Sequence, residues 1–124
     1  MYKALLDRES ITHKEILEDL TVVAEYEEYW PGEEPGTLHI LKICIQDRDA
    51  RNVIHILEKE LEEEWFAVVW SNTQAHVVFK GITFTLRNCI PWERGEYEQL
   101  VSYGATHGIS EKYFKNMRTV MDAW

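Results

Sequence analysis

The chain has 124 residues, 45% of them apolar, and its 13 Lys and Arg against 22 Asp and Glu give a formal net charge of −9. A chain of this size buries roughly two thirds of the surface that its unfolded form exposes, so a single domain over residues 1–124 is expected to hold a core without disulfide or metal staples. The longest apolar run, Trp65 to Trp70, is far short of a membrane span, and charge at Asp7 interrupts the opening segment too early for a signal-peptide core. Both features predict a cytoplasmic protein that does not enter membranes.

Cys44 and Cys89 stand without CxxC or Cys/His spacing, so they indicate neither a disulfide framework nor a zinc site, and no cofactor is expected. The acidity is uneven: residues 1–62 carry 7 Lys and Arg against 15 Asp and Glu, whereas residues 63–124 carry 6 against 7. Such a field repels phosphate backbones and disfavours nucleic-acid binding. Five Trp, six Tyr and four Phe are a large aromatic payload, which serves cores first and interfaces second.

In chain order, Ser10 or Thr12 is placed to cap a first helix. Thr12 with Glu15 has capping-box spacing ahead of Ile16, Leu17 and Leu20, which predicts helix 12–20. Strands 21–30 and 37–46 follow around a loop at 31–36 rich in Pro, Gly and Glu. The apolar pattern sets Val22, Ala24 and Tyr26 opposite Ile45, Ile43 and Leu41; Glu25 then faces Lys42 and Glu28 faces His39. Asp47 or Asp49 caps helix 49–63, whose Ala50, Val53, Ile54, Leu57 and Leu61 form an apolar stripe.

Strand 65–71 completes a βαβ unit, and two tight hairpins come next. A loop at 71–74 pairs Phe66, Val68 and Trp70 with Phe79, Val77 and Ala75. A Lys80-Gly81 turn then pairs the same three residues of the second strand with Ile82, Phe84 and Leu86. Both registers define one apolar face. The opposite face, with Trp65, Val69, His76 and Val78, is apolar enough to need partial cover. After a connector at 87–91, helix 92–107 presents Tyr97, Leu100, Val101 and Gly104. Gly108 stands where a left-handed C-cap is needed, and Ser110 starts a last helix striped by Phe114, Met117, Met121 and Trp124.

These elements predict an α+β fold: a five-stranded, mostly antiparallel sheet with one βαβ crossover and helices at both termini. From residue 37 to 107 the order of elements resembles ferredoxin-like split-βαβ folds. That resemblance lies in element order and implies no activity.

Asp47 and Asp49 lie where a strand ends and a helix opens, a common place for ligand-binding groups. With Glu28 and His39 they suit a hard divalent cation in a metal-dependent hydrolase or nuclease, while helix capping alone also accounts for them. His55, His76 and His107 lack ligand-type neighbours at helical spacing, and Cys89 lacks a protease signature. GxGxxG, Walker, GxSxG and HExxH motifs are absent from the sequence. Glu60, Glu62, Glu63 and Glu64 crowd the end of a helix whose dipole is already negative there. With the glutamates of 25–34 they suit docking of a basic protein partner. Lys112, Lys115 and Arg118 form a short basic stripe, a counterpart for self-association. The leading expectation is a non-enzymatic interaction or regulatory module, acting as a homodimer through Trp65, Val69, His76 and Val78 and the acidic edge. The alternatives are the metal-dependent hydrolase and a small-ligand sensor with its pocket lined by Trp65, Val69 and Val78.

Overall fold

The computed structural model describes residues 1–34, 36–87, 92 and 95–124. Six strands form one open sheet: β1 (Tyr2–Asp7), β2 (Thr21–Tyr29), β3 (Thr37–Ile45), β4 (Ala67–Trp70), β5 (Gln74–Phe79) and β6 (Ile82–Arg87). Their order is β2-β3-β1-β4-β5-β6, and every neighbouring pair is antiparallel. Three α-helices accompany them: α1 (Ala50–Glu60), α2 (Glu96–Thr106) and α3 (Glu111–Asp122). No helix among the described residues is long and apolar enough to cross a membrane.

The sixth strand is the correction to the expected count. β1 pairs with β3 on one side and β4 on the other, so its Ala4, Leu5 and Leu6 are apolar towards both faces, as a strand covered on both sides requires. The crossover from β3 through α1 to β4 therefore skips one strand, and the two strands it joins never pair. α1 covers one face with Val53 and Leu57 against Leu41, Ile43, Val69 and Val78. α2 and α3 cover the other with Leu100, Phe114 and Met117 against Leu5, Val68 and Phe79.

Helix 12–20 does not form. The segment makes 3-10 turns at Arg8–Ser10 and Lys14–Asp19, and His13, not Thr12, precedes the second with no side-chain cap. The reason lies in its partner: Ile11 bridges to Leu61, Thr12 N–H donates to the Glu60 carbonyl at 2.9 Å and Glu62 N–H to the Ser10 carbonyl at 2.8 Å. That extended stitch also stops α1 at Glu60, short of the expected 63, so Glu62–Glu64 leave the helix and its negative end. Neither Asp47 nor Asp49 makes a side-chain cap bond; a 3-10 turn over Asp47–Asp49 precedes α1.

The β4–β5 and β5–β6 registers are as predicted. The β2–β3 register is displaced by one: Tyr26 faces Ile40, Glu25 faces Leu41 and Glu27 faces His39, with a bulge between Val22 and Ala24. β2 is a mostly exposed edge strand, so burial of its side chains does little to fix its register. α2 begins at Glu96, later than predicted. Pro35, Glu93, Arg94 and residues 88–91, including Cys89, lie outside the described residues. Gly108 takes φ +79°, Ile109 N–H donates to the Gly104 carbonyl at 2.8 Å, and the Ser110 hydroxyl accepts from Lys112 N–H, the predicted turn between α2 and α3.

An acidic cleft at one end of the sheet

β1 ends at Asp7, opposite Ile40. Alternation along the strand places Asp7 with Leu5 on the face covered by α2 and α3, whose apolar packing leaves the residue 8% exposed. Oδ1 is fully buried and has no hydrogen-bond partner among the described residues. The nearby Ser10 hydroxyl donates to the Asp7 backbone carbonyl, at 2.6 Å, and leaves the carboxyl unserved. Burial pushes the Asp7 pKa up from 3.8 to about 7, with the Glu28 and Glu9 carboxylates adding to the rise. Asp7 therefore holds its proton close to neutral pH.

Asp7, Leu38 and Phe66 line a cleft of about 190 Å³. Its walls are Glu33 and Glu34 from the β2–β3 loop, Glu64 and Trp65 ahead of β4, Gly108 and Ile109, and Tyr113 of α3. A smaller extension of about 40 Å³ continues from Asp7 towards Tyr26, Glu28, Trp30 and Asn116. Glu64 has φ 69°, the one non-glycine in the left-handed region among the described residues, a conformation costing about 1–2 kcal/mol. Its carboxylate lies against Gly108, where a Cβ would come within 3.7 Å of Oε1.

The loop wall is braced by hydrogen bonds. Glu28 accepts from Trp30 Nε1 at 2.6 Å and from Asn116 Nδ2 at 3.1 and 3.2 Å, which ties β2 to α3. Glu33 accepts from the Tyr113 hydroxyl and from Lys112 Nζ at 3.0 Å. The Tyr113 bond, then Lys112, holds the Glu33 carboxyl below its ordinary pKa. Burial, then Glu33, pushes the Tyr113 phenol to about 12; burial, then Glu28 and Asp7, does the same for Tyr26. The Trp30 and Tyr113 rings lie 4.9 Å apart, and the Lys112 ammonium sits 5.6 and 5.2 Å from their centroids. Beside the cleft, the wall residues Tyr113 and Glu33, with Trp30, thus already hold a cation between aromatic faces and a carboxylate.

His39 turns to the opposite face of the sheet from Glu28 and Leu38, with its ring on Glu9, not on Glu28 as predicted. Nδ1 is 2.6 Å from Glu9 Oε2, the His39 backbone N–H donates to Glu9 Oε1 at 2.8 Å, and Nε2 is 3.5 Å from Glu27. Burial works to raise the Glu9 pKa, but the His39 backbone and ring bonds outweigh it and hold the carboxyl low. The Glu9 bond raises the His39 pKa against a smaller opposing effect of burial.

The predicted sites fare unevenly. Val69 and Val78 are 0% exposed beneath α1, so they are core and offer no surface for self-association and no pocket wall. His76 is half-buried opposite Thr85, with Nδ1 2.9 Å from its hydroxyl, and burial lowers its pKa. Trp65 alone of that set reaches the cleft.

The proposed metal ligands do not converge. His39 and Asp47 are separated by most of the nine-residue β3, roughly 26 Å of strand, and β2–β3 pairing turns Glu28 and His39 to opposite faces. Among the described residues no group of three or more His, Cys, Asp and Glu could hold a metal ion.

Of the acidic edge, Glu60 binds His13 Nδ1 at 2.6 Å and raises its pKa, Glu62 and Glu63 face solvent, and Glu64 lines the cleft. The basic stripe is engaged within the chain: Lys112 with Glu33, Lys115 with Glu111 at 3.6 Å and Arg118 with Asp122 at 3.3 Å. No protein-family model, curated protein or solved structure matches the chain.

Asp7 and Glu9 were not singled out from the sequence. The available signal is a carboxylate closing the apolar run Ala4-Leu5-Leu6, which becomes informative only once β1 is a covered central strand.

Proposed function

We propose that the chain is a non-enzymatic interaction module that docks a basic segment of a partner protein onto this end of the sheet. What carries the reading is convergence: Glu64 and Trp65, from the acidic edge, share one cleft with Glu33 and Glu34 of a distant loop and with the buried Asp7. The net charge of −9 steers a basic segment towards the protein, and aromatic walls favour cations once they arrive. Glu9, Glu28 and Glu33 already accept hydrogen bonds within the chain, which leaves Asp7, Glu34 and Glu64 to face a ligand.

The test is a titration with an arginine- and lysine-rich peptide, followed by Trp fluorescence at low and high salt. Binding that weakens steeply with salt, and weakens again in the combined Glu34→Gln, Glu63→Gln and Glu64→Gln variant, supports the reading. An affinity unchanged in that variant, or no binding at low ionic strength, overturns it.

A further inference from the structure

Within the cleft, the two ends differ. At the Trp30–Tyr113 end the wall is already served by a cation beside the cleft, Lys112, which Glu33 anchors. The Asp7–Glu64–Trp65 end has none: among the described residues no Lys, Arg or His pairs with Asp7, Glu34 or Glu64. Yet Asp7 is more than nine-tenths buried there, with a carboxylate oxygen that nothing in the chain satisfies. A buried acceptor without a partner costs free energy, and a donor supplied from outside recovers it.

Resting on the docking reading above, we propose that this end is an anchor pocket for the guanidinium of one arginine of the basic partner, with Asp7 as its carboxylate and Trp65 and Phe66 as its apolar walls. The argument for guanidinium over ammonium is physical. Guanidinium is the more weakly hydrated cation, so it enters a buried site at lower cost. Its planar face suits aromatic walls, and its forked N–H groups can serve Asp7 and Glu64 together. The aromatic niche beside the cleft, over Trp30 and Tyr113, already holds an ammonium, that of Lys112.

Loading the pocket also moves a proton. Asp7 is surrounded by Glu9 and Glu28, by Tyr26 of β2, by Glu33 and Glu34 of the loop, by Glu64 ahead of β4 and by Tyr113 of α3; His39 is committed to Glu9. Below neutral pH its carboxyl is protonated. An arriving guanidinium replaces that proton as the positive partner, and the proton passes to solvent, so docking at a pH between the bound and free midpoints releases a proton from Asp7, up to one per arginine.

The experiment is carbon NMR of the Asp7 carboxyl across a pH titration of the full chain, in excess N-acetylarginine amide, in equal N-acetylcitrulline amide and in equal sodium chloride. The expected result is a titration midpoint lowered by about one unit or more with the arginine probe alone. In parallel, Asp7→Asn is expected to bind the basic peptide about tenfold more weakly at pH 8 and to abolish proton release at pH 6, measured by calorimetry in buffers of different ionisation enthalpy. A midpoint that the arginine probe leaves where sodium chloride leaves it overturns the anchor. So does peptide affinity in Asp7→Asn within about twofold of the parent, and in that case the docking reading stands. Failure of the peptide to bind the parent chain removes the docking reading, while the NMR midpoint still decides whether Asp7 accepts guanidinium.

Discussion

Replacing Asp7 by Asn keeps the shape of the side chain and removes its ability to ionise. In the folded chain the Asp7 pKa lies at about 7, against 3.8 for an unburied carboxyl. Below the lower value both folded and unfolded chains carry the proton. Between the two, the folded chain keeps it and the unfolded chain gives it up, so rising pH draws the equilibrium towards unfolding by about 1.4 kcal/mol per unit. Over roughly three units the loss reaches up to about 4 kcal/mol, complete by about pH 7 to 8, in a domain whose whole stability is on the order of 5–15 kcal/mol. Asn has no proton to lose. Urea unfolding of both proteins by Trp fluorescence from pH 4 to 8 is therefore expected to give curves that lie close together near pH 4, diverge steadily in favour of Asp7→Asn from there to about pH 7, and run parallel above it. Taking the difference between the two proteins removes the other titrating groups. A difference that stays constant from pH 5 to 8 would show that Asp7 titrates as an ordinary surface carboxyl, and the argument built on its burial would fall.

Three further outcomes follow from the same structure. Glu64→Gly relieves a left-handed backbone and is expected to raise stability by about 1 kcal/mol in chemical denaturation while weakening peptide binding. Gly104→Ala puts a Cβ 2.8 Å from the Phe114 ring and 3.2 Å from the Ile109 carbonyl. The helix propensity gained is outweighed by overpacking, for a net loss of about 1–2 kcal/mol on thermal or urea unfolding. Val69→Ala, at a fully buried site under α1, lowers stability by about 2 kcal/mol and leaves the sedimentation behaviour of the folded chain unchanged.

The parts of the fold legible in the sequence are those held by short connections. Lys80-Gly81 and the 71–74 loop leave little freedom of register, and the pairings of Phe79 with Ile82 and Trp70 with Ala75 follow. Between β2 and β3 the loop is longer, and β2 lies exposed at the sheet edge. The choice between Leu41 and Ile40 as the partner of Tyr26 is there made by the bulge and by the packing of α3, which letters alone do not encode. β1 was hidden because a strand apolar on both sides has no alternation to display. Asp7 was hidden for the same reason, since only the presence of β3 and β4 on either side turns a strand-end carboxylate into a buried one. Glu64 and Trp65 were legible as acidic and aromatic, and their meeting with Glu33 and Glu34 required the tertiary structure.

The central place of β1 has a consequence for how the chain folds. The β2–β3 hairpin and the β4–β5–β6 meander each assemble from neighbours in sequence, but nothing else joins them into one sheet. Lys3 must find both Cys44 and Trp70. That strand's contacts therefore close the longest loops in the sheet, and their closure is the entropically costly step. During synthesis β1 emerges before both of its neighbours and has no partner on its second edge until residue 70 has followed. A chain paused before that point carries an apolar strand, Ala4-Leu5-Leu6, with one open edge, the form of the protein most exposed to mispairing.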